Sequence, residues 1–316
     1  MQKQIKIGTR GSPLALQQAN KVKQSLLTHH GHLQEKDIEI CIIKVLGDHI
    51  LDRSFMAAGG KGLFTKEIEE ALLREDIDMA VHSTKDVPTT LPEGLGLACF
   101  LERDDPRDAF IAIGYDSLDD LPVGALVGTA SLRRRAQLLR YRPDMKVINF
   151  RGNIQTRLKK LEAGEVNATF LALAGLQRMG LEKIATAILP LDGFLPAPAQ
   201  GAITIEVRET DKNTKDLLYP LHHLETAHAI LAERALLAAL DGSCKTPIAA
   251  YAHVKDEILH MSAEILSVDG DSYFTDSIHV PINQSLQAAT SLGEKIRKDA
   301  GTFFFQKLVS DVEALS

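Results

Sequence analysis

The chain opens the same way twice. Ile5 to Thr9 has the length and composition of a strand, and Arg10-Gly11-Ser12-Pro13 breaks it. Ser12 suits a helix N-cap and Pro13 the first helical position. Leu16, Ala19, Val22 and Leu26 then recur at a helical spacing. Further on, Val123 to Val127 reads as a strand, Gly128-Thr129-Ala130-Ser131 as a turn, and Leu132, Ala136 and Leu139 as the apolar side of a helix. Asp78 to Val81 and Asn167 to Phe170 also match in position, each following a helical pattern. Two such openings predict two similar α/β lobes with largely parallel sheets, each presenting helix N-termini at one sheet edge. Ligands bind such sheets outside the carboxyl ends of the strands, so two lobes imply a cleft.

The second opening begins the most unbalanced stretch of the chain. Residues 128 to 160 hold ten Lys or Arg against one acid, Asp144, a local charge of +9 in a chain of net charge -6. Such a concentration is costly through self-repulsion unless something anionic offsets it. A helix N-terminus offers free N–H groups and a positive dipole end, and the pattern repeats: strand Lys146 to Phe150, then Arg151-Gly152-Asn153, then a helix through Thr156 and Leu161. Arg133, Arg134, Arg151 and Arg157 flank these turns and are candidate carboxylate or phosphate ligands. Arg140, Lys159 and Lys160 read as a solvated basic face.

Composition excludes several classes. With 45% hydrophobic and 25% charged residues the chain is of ordinary globular make-up, and 316 residues suggest two or three domains. No apolar run approaches the ~20 residues of a membrane span. The start MQKQIKIGTR lacks a signal-peptide core, which predicts a cytoplasmic setting. Three cysteines without paired spacing give no disulfide framework or zinc site. The basic stretch interleaves only Tyr141 and Phe150, and the chain is acidic overall, so nucleic acid is a poor partner.

Elsewhere, Ile38 to Leu46 reads as a strand buried on both faces, Thr65 to Arg74 as a helix, and Ile77 to Val81 as a strand delivering His82-Ser83-Thr84-Lys85-Asp86. Ala202 to Val207 is a strand that returns to the first lobe, and polar residues 209 to 216 form a link. A helix from about Glu225 to Leu240 precedes three strand-like runs (Ile248 to Val254, Ile258 to Val268, Tyr273 to Val280) and a helix near Leu286 to Lys298. That order predicts a small α+β domain with a three-stranded antiparallel sheet. The predicted domains are 1–101 with 202–219, 102–201, and 220–316.

Asp86 is the best acid/base candidate, a carboxylate at a cleft rim that partial desolvation suits to giving and taking protons. The weaker reading of Asp86 is a turn residue before Val87-Pro88, while His82 could equally be a packed histidine. Cys41 and Cys99 lie in apolar strands and read as inert core. Cys244 follows Gly242-Ser243 and precedes Lys245, so it is either an exposed loop thiol or a nucleophile and attachment point. Lys61, in the glycine-rich Ala58 to Gly62 segment, is either an anion contact or a solvated lysine. Neither a Walker motif nor a GxGxxG after a strand is present.

Several motifs match one family together and in order: GTRGSPLAL, GGKGLFTKEIE, AVHSTKDVPT, ERDDPRDAF, GTASLRRRAQL, NFRGNIQTRL, LALAGLQR, AQGAI and the loop around Cys244. They resemble the porphobilinogen deaminase (hydroxymethylbilane synthase) family of tetrapyrrole, hence porphyrin and heme, biosynthesis. The resemblance implies two periplasmic-binding-protein-like lobes around a cleft, a C-terminal domain and a monomer. It implies a transferase that condenses four porphobilinogen molecules head to tail, releasing ammonia, on a dipyrromethane cofactor joined by a thioether to the cysteine matching Cys244. Asp86 matches the catalytic aspartate. Lys85, Ser83, Thr129, Ser131, Arg133 and Arg134 match cofactor contacts, and Arg10, Ser12, Lys61, Arg151, Arg157 and Arg178 match substrate contacts; no metal is implied. The sequence departs from the family's usual pattern at Ser243, where Gly is common, and at Ala57, where a loop lysine is common. The alternative reading is a two-lobed anion-binding protein without catalysis, which predicts reversible carboxylate binding and no covalent adduct.

Overall fold

A computed structural model describes residues 4–45, 65–242 and 246–315. Lys61 and Cys244, with the glycine-rich segment and Ser243 beside them, lie outside the described residues. The elements begin β1 (Ile5–Arg10), α1 (Pro13–His29), β2 (Ile38–Ile43), α2 (Lys66–Leu73), β3 (Met79–Ser83) and β4 (Leu95–Phe100). There follow β5 (Asp108–Ala112), β6 (Leu126–Gly128), α3 (Leu132–Tyr141), β7 (Lys146–Ile148), α4 (Ile154–Glu162), β8 (Ala168–Ala172), α5 (Leu173–Arg178) and β9 (Ala187–Ile188). The last are β10 (Ile203–Arg208), α6 (Lys212–Leu218), α7 (Leu224–Ala239), β11 (Ile248–Lys255), β12 (Ile258–Leu266), β13 (Tyr273–Pro281) and α8 (Ser285–Ala314). They form two compact units, Met1–Asp104 with Ala202–Ala227, and Asp105–Gly201 with His228–Ser316. Among the described residues no helix is long and apolar enough to cross a membrane.

The first unit holds a five-stranded sheet in the order β2-β1-β3-β10-β4. Ser12 caps α1, its hydroxyl accepting from the Ala15 N–H at 3.3 Å, and Pro13 takes the first helical position as the sequence predicts. Ala15, Ala19, Val22 and Leu26 bury one face of α1 in a core with Ile7, Met79, Val81, Ile203 and Ile205. β10 does return to this sheet, but antiparallel to both β3 and β4. The sheet is therefore mixed, not simply parallel. β2 is not buried on both faces: it is the edge strand, and Ile42 is 59% exposed. Its apolar run reflects one packed face and a high β-propensity, which sequence alone does not separate from burial. The polar link is in part helical, because Asp211 caps α6 through the Thr214 N–H.

The second unit repeats the arrangement. Its sheet runs β7-β6-β8-β5-β9, with β5 antiparallel to β8 and β9. The paired openings are equivalent in detail. Asp78 accepts from the Lys6 N–H at 2.8 Å, and Asn167 accepts from the Leu126 N–H at 2.8 Å. Each side chain thereby ties the start of one parallel strand to its neighbour, which explains why the two positions match. The antiparallel sheet β11-β12-β13 packs with α7 and α8 around Leu236, Ile248, Met261, Ile265 and Ile296. α8 runs past the predicted end and breaks only at Gly301, whose φ of 74° is accessible to glycine without strain.

Candidate functional site

In the first unit, a recess of about 70 Å³ opens where β1 and β3 end. Arg10, Ser12, Gln18, Thr65, His82, Ser83 and Asp86 line it. The sequence delivers them because β1 runs into the capped start of α1, and β3 into a single 3-10 turn, Thr84–Asp86. That turn is pinned by the Thr84 N–H donating to Ala202 O and the Val87 N–H to Thr84 O, each at 3.1 Å. Gln18 Nε2 donates to Ser83 Oγ at 2.8 Å, which fixes the residue leading into the turn against α1. Lys85 sits half-buried in the same turn. Asp86 itself is exposed, not desolvated as expected, because the turn carries it clear of the sheet edge.

Four predicted residues of the first unit, Arg10, Ser12, Ser83 and Asp86, therefore share one recess. Gln18 and Thr65 were not singled out from sequence; Gln18 lies on the buried face of α1, where only its failure to fit the apolar pattern marks it. Cys99 is core, its thiol pushed up to about 12 by burial, while Cys41 is only half-buried.

The second unit gathers two of the predicted arginines, Arg133 and Arg134, around one carboxylate. Thr129 Oγ1 accepts from the Ser131 N–H at 3.1 Å, and Ser131 caps α3 through the Arg134 N–H at 3.4 Å. α3 then buries Arg133 and Arg134, both of which reach Asp108 at the start of β5, at 2.8 and 2.7 Å. Gln200 donates to the same carboxylate at 2.8 Å. Burial alone would raise the Asp108 carboxyl, but the two guanidinium groups override it and hold it well below the usual carboxylate range. Asp108 was not among the predicted residues, although its motif was; nothing local distinguishes it from its acidic neighbours Asp104 and Asp105.

Arg157 on α4 differs. Its Nε donates to Gly152 O at 2.8 Å, and among the described residues it has no carboxylate partner. Burial first, and then the charge of Arg134, pushes its guanidinium down to about 10. It still carries its charge at neutral pH, so it is a half-buried cation whose partial desolvation is costly. Arg151 is likewise lowered by burial and bonds Asn149 Oδ1 at 3.1 Å, and Arg178 bonds Gly201 O at 2.5 Å. Arg140 is not a solvated residue. It bonds Glu264 at 2.6 Å and Gly193 O at 2.9 Å and stacks over Tyr273, because β12 and β13 cover this side of α3. Lys160 lies over the Phe150 ring at 5.6 Å, and Lys159 alone of these three is exposed.

One unit thus offers an exposed carboxylate beside a small polar recess, and the other, by itself, buried and half-buried arginines that suit carboxylate ligands. Comparison with known proteins says which. Residues 5–216 match the family model for the porphobilinogen deaminase dipyromethane cofactor binding domain, and 227–300 that for the porphobilinogen deaminase C-terminal domain. The chain is 49% identical over 308 residues to the chloroplastic porphobilinogen deaminase of Oryza sativa subsp. japonica, covering 96% of this chain and 86% of that one. It is 48% identical over 304 residues to the porphobilinogen deaminase of Paracoccus denitrificans, covering 96% and 97%. Among solved structures, a periplasmic substrate-binding protein from Coxiella burnetii is a distant likeness, with 16% identity, a TM-score of 0.43, and coverage of 69% and 92%. The chain belongs to the porphobilinogen deaminase family, transferases that work on a dipyrromethane cofactor.

Proposed function

We propose that this chain condenses four porphobilinogen molecules head to tail into the linear tetrapyrrole hydroxymethylbilane, releasing one ammonia at each step. Family membership points to the reaction, and Arg157 is the observation of the structure that carries it: a half-buried guanidinium with no carboxylate partner among the described residues suits acetate and propionate side chains. The residues present fit a dipyrromethane on that ground. When bound through a thioether to Cys244, the cofactor would supply the pyrrole carbon from which the product grows.

In this reading Arg10, Ser12, Lys61, Arg151, Arg157 and Arg178 hold the carboxylates of the substrate. Ser83, Lys85, Thr129 and Ser131 hold those of the cofactor, while Arg133 and Arg134, anchored by Asp108, add fixed positive charge there. A hydrogen bond to a charged partner is worth about 1.5–3 kcal/mol, so several such contacts keep a polyanion in register. Asp86 assists the departure of the amino group, steadies the positive charge that develops on the pyrrole nitrogens, and takes up the proton lost from the attacked carbon. The second unit is read as an arginine-bearing lobe, 102–201, and a C-terminal domain, 220–316. We further read the protein as a monomer of a cytoplasmic compartment.

Intact mass is the direct test. Active protein should exceed its sequence mass by one dipyrromethane, and Cys244→Ser should lack the addition. Asp86→Asn should keep the cofactor yet lose at least about a hundredfold in turnover, within the usual range for a general acid or base. Unmodified wild-type protein that still polymerises porphobilinogen refutes the cofactor assignment, and near-normal turnover by Asp86→Asn refutes the acid/base role.

A further inference from the structure

Three buried titratable side chains meet beside the recess of the first unit, and the reaction as read above uses none of them. His82 comes from β3, Glu206 from β10 and Glu69 from α2. His82 Nε2 lies 3.0 Å from Glu206 Oε2, with the two side chains 4% and 0% exposed. Glu69 is 7% exposed and feels the charge of both. Among the described residues, Glu206 Oε1 and Thr84 Oγ1 are buried without a hydrogen-bond partner. The other charged groups around the pair are Arg10 from β1 and Asp86 from the turn, which line the recess, and Glu67 from α2. Leu14, Ala15 and Gln18 of α1 complete that wall, and none of them titrates.

A plain structural ion pair accounts poorly for this group. Glu206 bonds the imidazole and Glu69 lies near enough to feel both charges, so full ionisation leaves a net negative charge where water is scarce. Burial disfavours that state, and it pushes the Glu69 carboxyl up, with Glu206 adding to the effect. The lowest-cost arrangement keeps a proton within the cluster. His82 gives that proton an outlet, since it lines the same recess as Asp86.

The proposed reaction has a use for such a store. In each condensation the carbon–nitrogen bond of one unit breaks and a carbon–carbon bond forms. The proton leaving the attacked ring carbon balances the one that departs with ammonia, so none is consumed overall. It must still be held between two different atoms, and Asp86 is a single exposed carboxylate. We propose that His82, held by Glu206 and backed by Glu69, is a positioning residue that keeps a proton available to Asp86 between one condensation and the next. The proposal rests on the activity proposed above.

The test compares cofactor-loaded wild type with Glu206→Gln, measuring kcat and KM over about pH 6 to 9. The amide keeps the shape of Glu206 but carries no negative charge to hold the ring's proton. The kcat of Glu206→Gln should fall at least about tenfold with little change in KM, and the alkaline limb of its profile should move to lower pH. Glu206→Asp, which restores a carboxylate, should move that limb back. Glu69→Gln serves where Glu206→Gln does not fold, and should shift the same limb in the same direction by less. A folded, loaded variant whose limb does not move overturns the proposal, since a merely structural role lowers stability and leaves the profile in place. Wild type without turnover overturns this proposal and the activity together, whereas wild-type turnover with an unmoved limb overturns this one alone.

Discussion

Asp108 decides whether the arginines of α3 are assets or liabilities. Its two oxygens receive Arg133, Arg134 and Gln200, and all four side chains are buried. Removing the charge leaves two guanidinium groups buried without their counter-ion, a change that costs about 3–5 kcal/mol. Asp108→Asn should therefore lower the thermal midpoint strongly, and a loss within the noise of a surface substitution would contradict the clamp. The pH dependence has a definite sign. The folded carboxyl is held well below its unfolded value of about 3.9, so its contribution is fully present above that value and is lost as pH falls. Urea denaturation across the acid range should show wild-type stability falling below about pH 4 and a flatter profile for Asp108→Asn.

At the scale of elements, the turn between β12 and β13 is pressed onto α3. Gly270 has a φ of 80°, and a Cβ there would stand 2.4 Å from Ala136 O and 2.5 Å from Arg140 N. Backbone cannot swing aside as a side-chain tip does, so Gly270→Ala must lift the turn from α3 or distort it. A cost of about 1–3 kcal/mol is expected for such overpacking, with added strain from the positive φ. Arg140 would lose its seat on Glu264 and Tyr273, so hydrogen exchange should quicken in α3 and in β12 together; exchange altered at the turn alone would argue that the two are not coupled. This contact was not legible in the sequence, which marked Arg140 as a solvated face, because pairing across 124 residues leaves no local pattern. What was legible had a local cause. Ser12 and Ser131 announce their helices by capping chemistry, and the matched Asp78 and Asn167 announce the repeated lobe. The reversed strands β5 and β10 were missed in direction because apolar runs carry no sign of orientation. In the site, Asp86 and the arginines stood out by motif. Asp108 and Glu206 did not, since their roles come from partners that only folding brings near.

For the whole molecule the question is where the charge of residues 128–160 is neutralised. The protein supplies part of the answer: Asp108 serves Arg133 and Arg134, Glu264 serves Arg140, and Asp144 serves Arg142. Arg157 receives no carboxylate among the described residues, and burial already makes its charge costly. In our reading the missing carboxylates belong to the cofactor and product, which bind the folded state and so stabilise it. Cys244→Ser, which on the proposed attachment would carry no cofactor, should accordingly melt below the loaded wild type. The difference should also depend on salt. Screening lengths shrink from about 10 Å at 0.1 M to about 3 Å at 1 M, so sodium chloride relieves the repulsion between Arg157 and Arg134 more than it affects arginines already paired. The midpoint of Cys244→Ser should rise with sodium chloride more steeply than that of wild type, closing part of the gap. Equal midpoints at low salt, or parallel salt slopes, would show that the arginine excess is neutralised within the protein and that the cofactor's carboxylates are not its counter-charge.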